Sequence, residues 1–154
     1  MSAEARLVEL GIVLPPAPKP GGVYKPLVRV GQLAYLSGHG PSLDGTTYLT
    51  GRVGADLTLE DGKAAARQVG LSLLATMKRE LGSLDRVARV IKTLALVNCT
   101  DDFTQQPQVV NGFSELFAEV FGPDAGVGAR SALAANALPG NIPVEIEIII
   151  ELKD

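Results

Sequence analysis

Hydrophobic positions change their spacing several times along the chain, and each change predicts a different element. Apolar residues recur every three or four positions in 59–81, which predicts a helix that Thr58 caps and Gly82 ends. A second helical stripe runs up to a Gly-Pro pair, and we expect Asp101 or Asp102 to cap that helix. Both helices carry their apolar residues on one side, as surface helices packed on a sheet do.

Other stretches have the pattern of β-strands. Strands are predicted at 28–30, 33–37, 87–97, 131–137 and 144–152. Gly31-Gln32 suits a tight hairpin turn between the first two. Residues 87–97 are almost continuously apolar, which predicts a strand covered on both faces. Residues 144–152 alternate, so that Glu145 and Glu147 share a face.

The N-terminal segment differs from the rest of the chain. Residues 3–10 predict a short amphipathic helix. Four prolines between positions 15 and 20 exclude a helix or a central strand there. We expect this stretch to lie over the surface as an extended arm.

The order hairpin, helix, long strand, helix, strand, strand predicts an α+β fold. Two helices would cover one face of a mixed β-sheet in a two-layer domain. We expect a single domain over 1–154, in which 1–20 form the N-terminal helix and Pro-rich arm. The second sheet face still carries apolar positions from 87–97, so we expect another subunit to cover it.

Composition narrows the classes of function. The net charge of −3 and an aromatic content of 5% argue against nucleic acid as a partner. No apolar run is long enough for a membrane span, and no signal-peptide pattern opens the chain, so we expect no membrane partner. The lone Cys99 excludes an intrachain disulfide and fits a cytoplasmic location.

Motifs for the common cofactor and metal sites are missing from the chain. It has no Gly-x-Gly-x-x-Gly, no Walker-type loop and no Gly-x-Ser-x-Gly. His39 and Cys99 cannot form a zinc site by themselves, and no carboxylate cluster has ligand spacing, so we expect no metal. The remaining candidates are ionisable residues at strand ends near glycine turns.

Arg130 and Glu145 are the main candidates. Arg130 follows a Gly-rich loop, and its guanidinium could bind a carboxylate with two hydrogen bonds. It could instead be a surface residue, or one paired with Glu145 or Glu147. Two alternating glutamates are explained by solvation at a sheet edge, or by one recessed carboxylate that positions water and transfers protons.

Five further residues are weaker candidates. Tyr24 either packs against the arm or lines a pocket, and Ser37-Gly38-His39 ends a strand where a backbone amide can face a ligand. His39 is equally consistent with a local hydrogen bond. Asn111 lies on the polar side of the second helix, where solvation is the simpler explanation.

Together these segments resemble the Rid (YjgF-type) family, once called the L-PSP endoribonuclease family. The resemblance runs from about residue 20 to the end of the chain. Its weaker motifs are Gly22-Val23-Tyr24, Leu36-Ser37-Gly38-His39, Ile91-Lys92-Thr93, Asp102-Phe103, Val110-Asn111 and Phe117. Its most specific block is Ala129-Arg130-Ser131, Leu138-Pro139 and Val144-Glu145-Ile146-Glu147.

The resemblance implies a chorismate mutase-like fold, a homotrimer and ligand clefts between subunits. It implies that Arg130 grips a substrate carboxylate and that Glu145 positions the hydrolytic water. Residues matching the family's pocket are Tyr24, Ser37, Gly38, His39, Asn111 and Ala132. The reaction would convert a reactive enamine or imine to a 2-keto acid and ammonia, without a cofactor.

Some positions depart from the pattern of the RidA branch. His39 stands where that branch has Gln, Ala132 stands where it has Cys, and the N-terminal region is longer. We therefore expect a divergent member. The leading hypothesis is an enamine/imine deaminase-type hydrolase, and the alternative is a non-catalytic trimeric module that binds small carboxylates. A ribonuclease fits less well, because the chain is acidic and poor in aromatics.

Overall fold

The computed structural model describes residues 1–154, which form three α-helices and five β-strands. In chain order these are α1 (Ala3–Glu9), β1 (Leu27–Val30), β2 (Leu33–His39), α2 (Leu59–Leu81), β3 (Val87–Asn98), α3 (Gln106–Phe121), β4 (Ala129–Ala135) and β5 (Val144–Leu152). Single 3-10 turns, Leu84–Arg86 and Pro139–Asn141, precede β3 and β5. The predicted α+β fold class is confirmed.

Helix α2 has the predicted bounds, because both of its ends are specified by local hydrogen bonding and conformation. Thr58 Oγ1 accepts from the Asp61 amide at 3.1 Å, and Asp61 Oδ2 accepts from the Thr58 amide at 2.9 Å. This reciprocal pair satisfies two amides that would otherwise lack partners. At the other end Gly82 has a φ of +84°, a left-handed conformation that glycine adopts without strain.

Helix α3 begins later than predicted. Its N-cap is Gln105, which makes no side-chain capping bond, and Asp101 and Asp102 are exposed in a turn before it. The prediction that one of these aspartates caps the helix is therefore wrong. Pro107 in the first turn explains the start, since proline fits where no amide donor is needed.

The sheet has the strand order β1-β2-β5-β3-β4. β3 and β4 are parallel and the other neighbours are antiparallel, so the sheet is mixed. The hairpin turn Gly31-Gln32 is as predicted, and Gly31 has a φ of +59°. β4 begins two residues before its predicted start, because Ala129 and Arg130 already pair with Lys92 and Thr93.

The last strand, β5, lies at the centre of the sheet, between β2 and β3. The explanation of Glu145 and Glu147 by solvation at a sheet edge is therefore wrong, since β5 is not an edge strand, and of the two only Glu147 is exposed. Ile146, Ile148 and Ile150 on the opposite side of the strand are almost fully buried under the helices. Each such side chain contributes about 1.5–3 kcal/mol of transfer free energy, so the register of β5 is firmly set.

Helices α2 and α3 cover one sheet face, as predicted. The opposite face, called the open face below, carries Val28, Tyr35, Leu94 and Ile149. No element of the chain covers it, and Val28 and Tyr35 remain 47% and 44% exposed. An apolar surface of this kind is typical of a contact with another protein.

The segment between α1 and β1 has no regular secondary structure and lies against the body of the protein as an arm. Pro18 is buried, and its carbonyl accepts from Arg79 Nη1 at 3.2 Å. Glu4 of α1 accepts from the Leu84 amide at 2.9 Å, which ties the first helix to the turn before β3. None of the helices combines the length and the apolar character that crossing a membrane requires.

Candidate functional site

The predicted site residues fall into two groups in one chain. Glu145, Gly38, Ser37 and Tyr24 border a cavity of about 500 Å³, called the Glu145 cavity below. Its remaining lining residues are Gly21, Pro139 and Glu147. The lining is almost entirely polar side chains and glycine backbone, which suits a small polar ligand more than an apolar one.

Glu145 is half-buried in β5, directly opposite Leu96 of β3. Burial raises the pKa of its carboxyl, and the charge of Glu147 raises it further. A carboxylate of raised pKa binds a proton more readily, which is what a general base needs. The geometry thus favours the recessed-carboxylate interpretation of Glu145.

Gly38 allows Glu145 to occupy this position. A Cβ atom on Gly38 would lie 3.0 Å from Cδ and 3.2 Å from Oε1 of Glu145. β2 is also irregular between Leu36 and His39, and this irregularity sets the backbone at Gly38 beside the carboxylate. The absence of a side chain here is therefore a requirement of the cavity.

Ser37 and Tyr24 differ in what they can offer a ligand. The Ser37 hydroxyl donates to the Lys25 carbonyl at 2.6 Å, so its hydrogen is already used and its oxygen can only accept. The Tyr24 hydroxyl accepts from the Gly21 amide at 3.2 Å. Its own hydrogen is therefore available, and Tyr24 can donate into the cavity.

His39 points away from the Glu145 cavity. Its Nδ1 lies 2.6 Å from the Ser37 carbonyl and its Nε2 lies 2.8 Å from Oγ1 of Thr76 on α2. A carbonyl only accepts, so Nδ1 carries the proton and Nε2 accepts from Thr76. Burial lowers the pKa of His39, which keeps the ring neutral. The ring therefore holds Ser37 in place, and neither nitrogen is free for a substrate.

Arg130 belongs to the second group, on the side of the sheet that faces α3. Its Nη1 donates to Asn111 Oδ1 at 2.9 Å and to Ser114 Oγ at 3.0 Å, and Nη2 donates to the Pro107 carbonyl at 3.4 Å. Nε–H and one Nη2–H keep no partner in the chain. Two free donors on one guanidinium are what a carboxylate needs for a bidentate contact.

A cavity of about 260 Å³, called the Arg130 cavity below, lies beside this guanidinium. Asn111 lines it, as do Thr93 and Ser114, neither of which was predicted as a site residue. Asn111 and Ser114 are three positions apart on α3, so helical spacing alone places them on one face. Ala132, two residues beyond Arg130, packs against the core beside this group.

The chain does not bring Arg130 and Glu145 into one cavity. β3 lies between their strands, and the two side chains lie on opposite faces of the sheet. Arg130 forms no ion pair with Glu145 or Glu147. No cluster of three or more His, Cys, Asp or Glu side chains in residues 1–154 could hold a metal ion.

Comparisons with known proteins agree with this architecture. The model of the family described as "YjgF/chorismate mutase-like, putative endoribonuclease" matches residues 4–152. Protein TCP17 of Trypanosoma cruzi is 41% identical over 150 residues, covering 97% of this chain and 94% of that protein.

Two solved structures show how similar the chain is to other proteins of this fold. A "putative endoribonuclease" from Shewanella oneidensis has a TM-score of 0.93 at 30% identity, covering 99% of this chain and 100% of its own. RidA from an Antarctic Psychrobacter has a TM-score of 0.61 at 27% identity, covering 88% and 94%. The chain is therefore structurally nearer to the first of these than to RidA.

Proposed function

We propose a function from the premise that the chain belongs to the YjgF/chorismate mutase-like, putative endoribonuclease family. The protein hydrolyses reactive 2-imino or 2-enamino acids to 2-keto acids and ammonia, in a pocket between subunits. The observation that carries this proposal is the half-buried Glu145 beside Gly38, a carboxylate of raised pKa next to a polar cavity. The named RidA neighbour supports it at the level of the family.

The reaction requires few catalytic groups. In our proposal Arg130 binds the substrate carboxylate through its two free donors. Glu145 accepts a proton from a water, which attacks the imine carbon and forms a carbinolamine. Return of that proton to the nitrogen, and transfer of the carbinolamine hydroxyl proton to the same nitrogen, let the C–N bond break, so that imine plus water gives keto acid plus ammonia. Orientation of the substrate and proton transfer through Glu145 supply the rate increase.

A site between subunits would join the two groups that one chain separates. The open face supports this, because it leaves Val30 and Leu133 63% and 54% exposed as well as Val28 and Tyr35. We propose a homotrimer in which Arg130 and Asn111 of one subunit approach Glu145, Ser37 and Tyr24 of the next. Light scattering should give about three times the chain mass of 16.1 kDa. A monomer at micromolar concentration would contradict the shared site.

The activity is tested with imino acids that an amino acid oxidase generates in situ. Semicarbazide traps the remaining imine, so hydrolysis appears as loss of the trapped product relative to a protein-free blank. Glu145→Gln should lower kcat by roughly 10²-fold, the usual contribution of a general base. Arg130→Ala should lower kcat/KM by a similar factor of about 10² through lost carboxylate binding.

Arg89→Ala is a matched control, because Arg89 is exposed and makes a single long bond of 3.4 Å to the Asp124 carbonyl. It should keep full activity. A wild-type rate equal to the blank would refute the enzyme proposal. Full turnover by Arg130→Ala would show that the assigned mechanism is wrong even where an activity exists.

A binding module without catalysis is the alternative. The lower TM-score to RidA favours it, since the chain has diverged from that branch. A module of this kind would bind 2-ketobutyrate with Arg130 and would show no imine hydrolysis. Calorimetry with 2-ketobutyrate, together with the imine assay, separates the two functions. A binding module predicts that Glu145→Gln binds 2-ketobutyrate as tightly as wild type does, and that no variant hydrolyses the imine.

A further inference from the structure

The arm forms a second cavity next to the Glu145 cavity. It encloses about 40 Å³ and will be called the arm cavity. Lys19, Tyr24 and Tyr48 are among its lining residues, together with Gly38 and Gly40. Tyr24 and Gly38 also line the Glu145 cavity, so the two spaces adjoin. Hydrolysis at Glu145 does not by itself require this extension.

The arm is held firmly enough to shape a cavity. The carbonyl of the buried Pro18 accepts from Arg79 of α2. A Cβ on Gly45 would lie 3.3 Å from the Pro16 carbonyl, so the arm also touches the turn that precedes Tyr48. Lys19 directly follows the anchored Pro18, which fixes where its side chain begins.

The far wall of the arm cavity is equally constrained. Tyr48 packs on Gly40, where an added Cβ would lie 3.2 Å from the Tyr48 ring. Burial raises the pKa of Tyr48, and so does the nearby Tyr24. The Tyr48 phenol therefore stays protonated and can donate to a ligand. A larger residue than glycine at position 40 would displace this wall.

The charges around the arm cavity favour an anion. No carboxylate lines it, and Lys19 is in none of the six ion pairs of the chain. His39, which borders the cavity, uses both ring nitrogens elsewhere. An ammonium from Lys19 and a phenol donor from Tyr48, without a competing acid, match the oxygens of a carboxylate.

Size limits the ligand further. One water molecule needs at least about 10–15 Å³ of cavity volume. The arm cavity, with about 40 Å³, therefore accepts about three heavy atoms, the number in a carboxylate group. Gly38 lines both cavities, and a Cβ on it would lie 3.0 Å from Cδ of Glu145, so the carboxylate is a short distance from the arm cavity. Two or three carbon–carbon bonds cover that distance.

We propose that the arm cavity is an anion subsite for the far carboxylate of a dicarboxylic 2-imino acid. This inference rests on the proposed function, because it assumes that the reacting carbon lies in the Glu145 cavity. The substrate class is then a short imino acid with acid groups at both ends, such as 2-iminoglutarate. Lys19 is its specificity-determining residue, and Tyr48 orients the same group.

The test compares 2-iminoglutarate with the imine of norvaline, which has the same carbon chain and no far carboxylate. Glutamate oxidase and a general amino acid oxidase generate them, and the semicarbazide trap follows both. We expect wild type to favour 2-iminoglutarate by about tenfold in kcat/KM, the value of one charged hydrogen bond. Lys19→Met should remove this preference and leave the norvaline imine unaffected.

Lys25→Met is the matched control, since Lys25 is exposed on the same segment and lines neither cavity. It should keep the preference, Lys19→Arg should keep most of it, and Tyr48→Phe should reduce it several-fold. Equal rates for the two imines in wild type, or an unchanged preference in Lys19→Met, would overturn the subsite while leaving the hydrolase proposal intact.

A binding measurement keeps the subsite testable even if no imine is hydrolysed, an outcome that would defeat the proposed function alone. Calorimetry compares 2-oxoglutarate with 2-oxohexanoate, which lacks the far carboxylate. Binding of 2-oxoglutarate about tenfold more tightly, lost in Lys19→Met, would support the subsite. Equal affinities for the two keto acids would refute it.

Discussion

Replacing Gly38 by Ala tests whether the cavity depends on a missing side chain. The added methyl would lie 3.0 Å from Cδ, 3.2 Å from Cγ and 3.2 Å from Oε1 of Glu145. Gly38 does not have a positive φ, so alanine meets no backbone strain. The whole effect therefore comes from contact between the methyl and the Glu145 side chain, which must move by a few tenths of an ångström or rotate away.

Two opposing terms set the stability of Gly38→Ala. Overpacking costs about 1 kcal/mol where the neighbour is a movable side chain. Lower chain entropy in the unfolded state returns about 0.4–1 kcal/mol. The free energy of unfolding should thus stay within about 1 kcal/mol of wild type. Activity should fall by about tenfold to 10²-fold, because misplacing a catalytic group by up to 1 Å costs that much.

A double-mutant cycle isolates the contact. Urea unfolding and imine hydrolysis are measured for wild type, Gly38→Ala, Glu145→Ala and the double variant. In the Glu145→Ala background the added methyl has no carboxylate to displace, so Gly38→Ala should cause no further loss of activity. Wild-type activity in the single Gly38→Ala variant would refute the reasoning, as would an equal loss in both backgrounds.

Two further predictions concern stability. His39 has a pKa below its ordinary 6.5, so the unfolded chain binds a proton at a higher pH than the folded chain, and the free energy of unfolding should fall as pH drops below about 6.5. Urea unfolding between pH 5.5 and 7.5 should show a weaker pH dependence of this free energy for His39→Gln than for wild type. An identical pH dependence in the two proteins would contradict this. Gly112→Ala places a Cβ 2.0 Å from the Lys63 carbonyl, so α2 and α3 must separate. It should lose about 3 kcal/mol or more in denaturant unfolding, whereas Gly21→Ala, with open space, should lose almost none. A loss under about 1 kcal/mol at Gly112 would refute that packing argument.

The sequence predicted the elements whose signals are local. α2 was bounded by a capping box and a left-handed glycine, and both act within a few residues. The start of α3 was mispredicted, because an aspartate before a helical stripe is a good cap only if the chain turns there. Pro107 and the turn at 101–102 move the start to Gln106.

Sheet position could not be predicted from alternation. The pattern of 144–152 places Glu145 and Glu147 on one face, and this holds in the structure. The same pattern occurs in edge strands and in central strands, and only the long-range pairing with β2 and β3 decides between them. Arg130 shows the same limit, because its contacts with α3 bridge 16 to 23 residues of sequence.

The placement of Glu145 at the sheet centre should also cost the protein stability. Burial raises the pKa of Glu145 above its ordinary 4.5, which means that the folded state disfavours the charged form more than water does. The group favours folding at low pH and opposes it increasingly as pH rises through the folded pKa. A role in proton transfer explains the presence of an acid at this position, opposite Leu96, better than packing does.

Glu145→Gln removes the charge and keeps the shape, so it should be more stable than wild type at pH 7. The advantage should shrink as pH falls and vanish below about pH 4.5, where both side chains are neutral. Urea unfolding of both proteins at pH 4 and pH 7 measures this difference, and Glu60→Gln on the exposed start of α2 is the control that should show no gain. If Glu145→Gln is instead less stable at pH 7, the carboxylate has a stabilising partner in the folded protein, and a role as proton acceptor loses its physical basis.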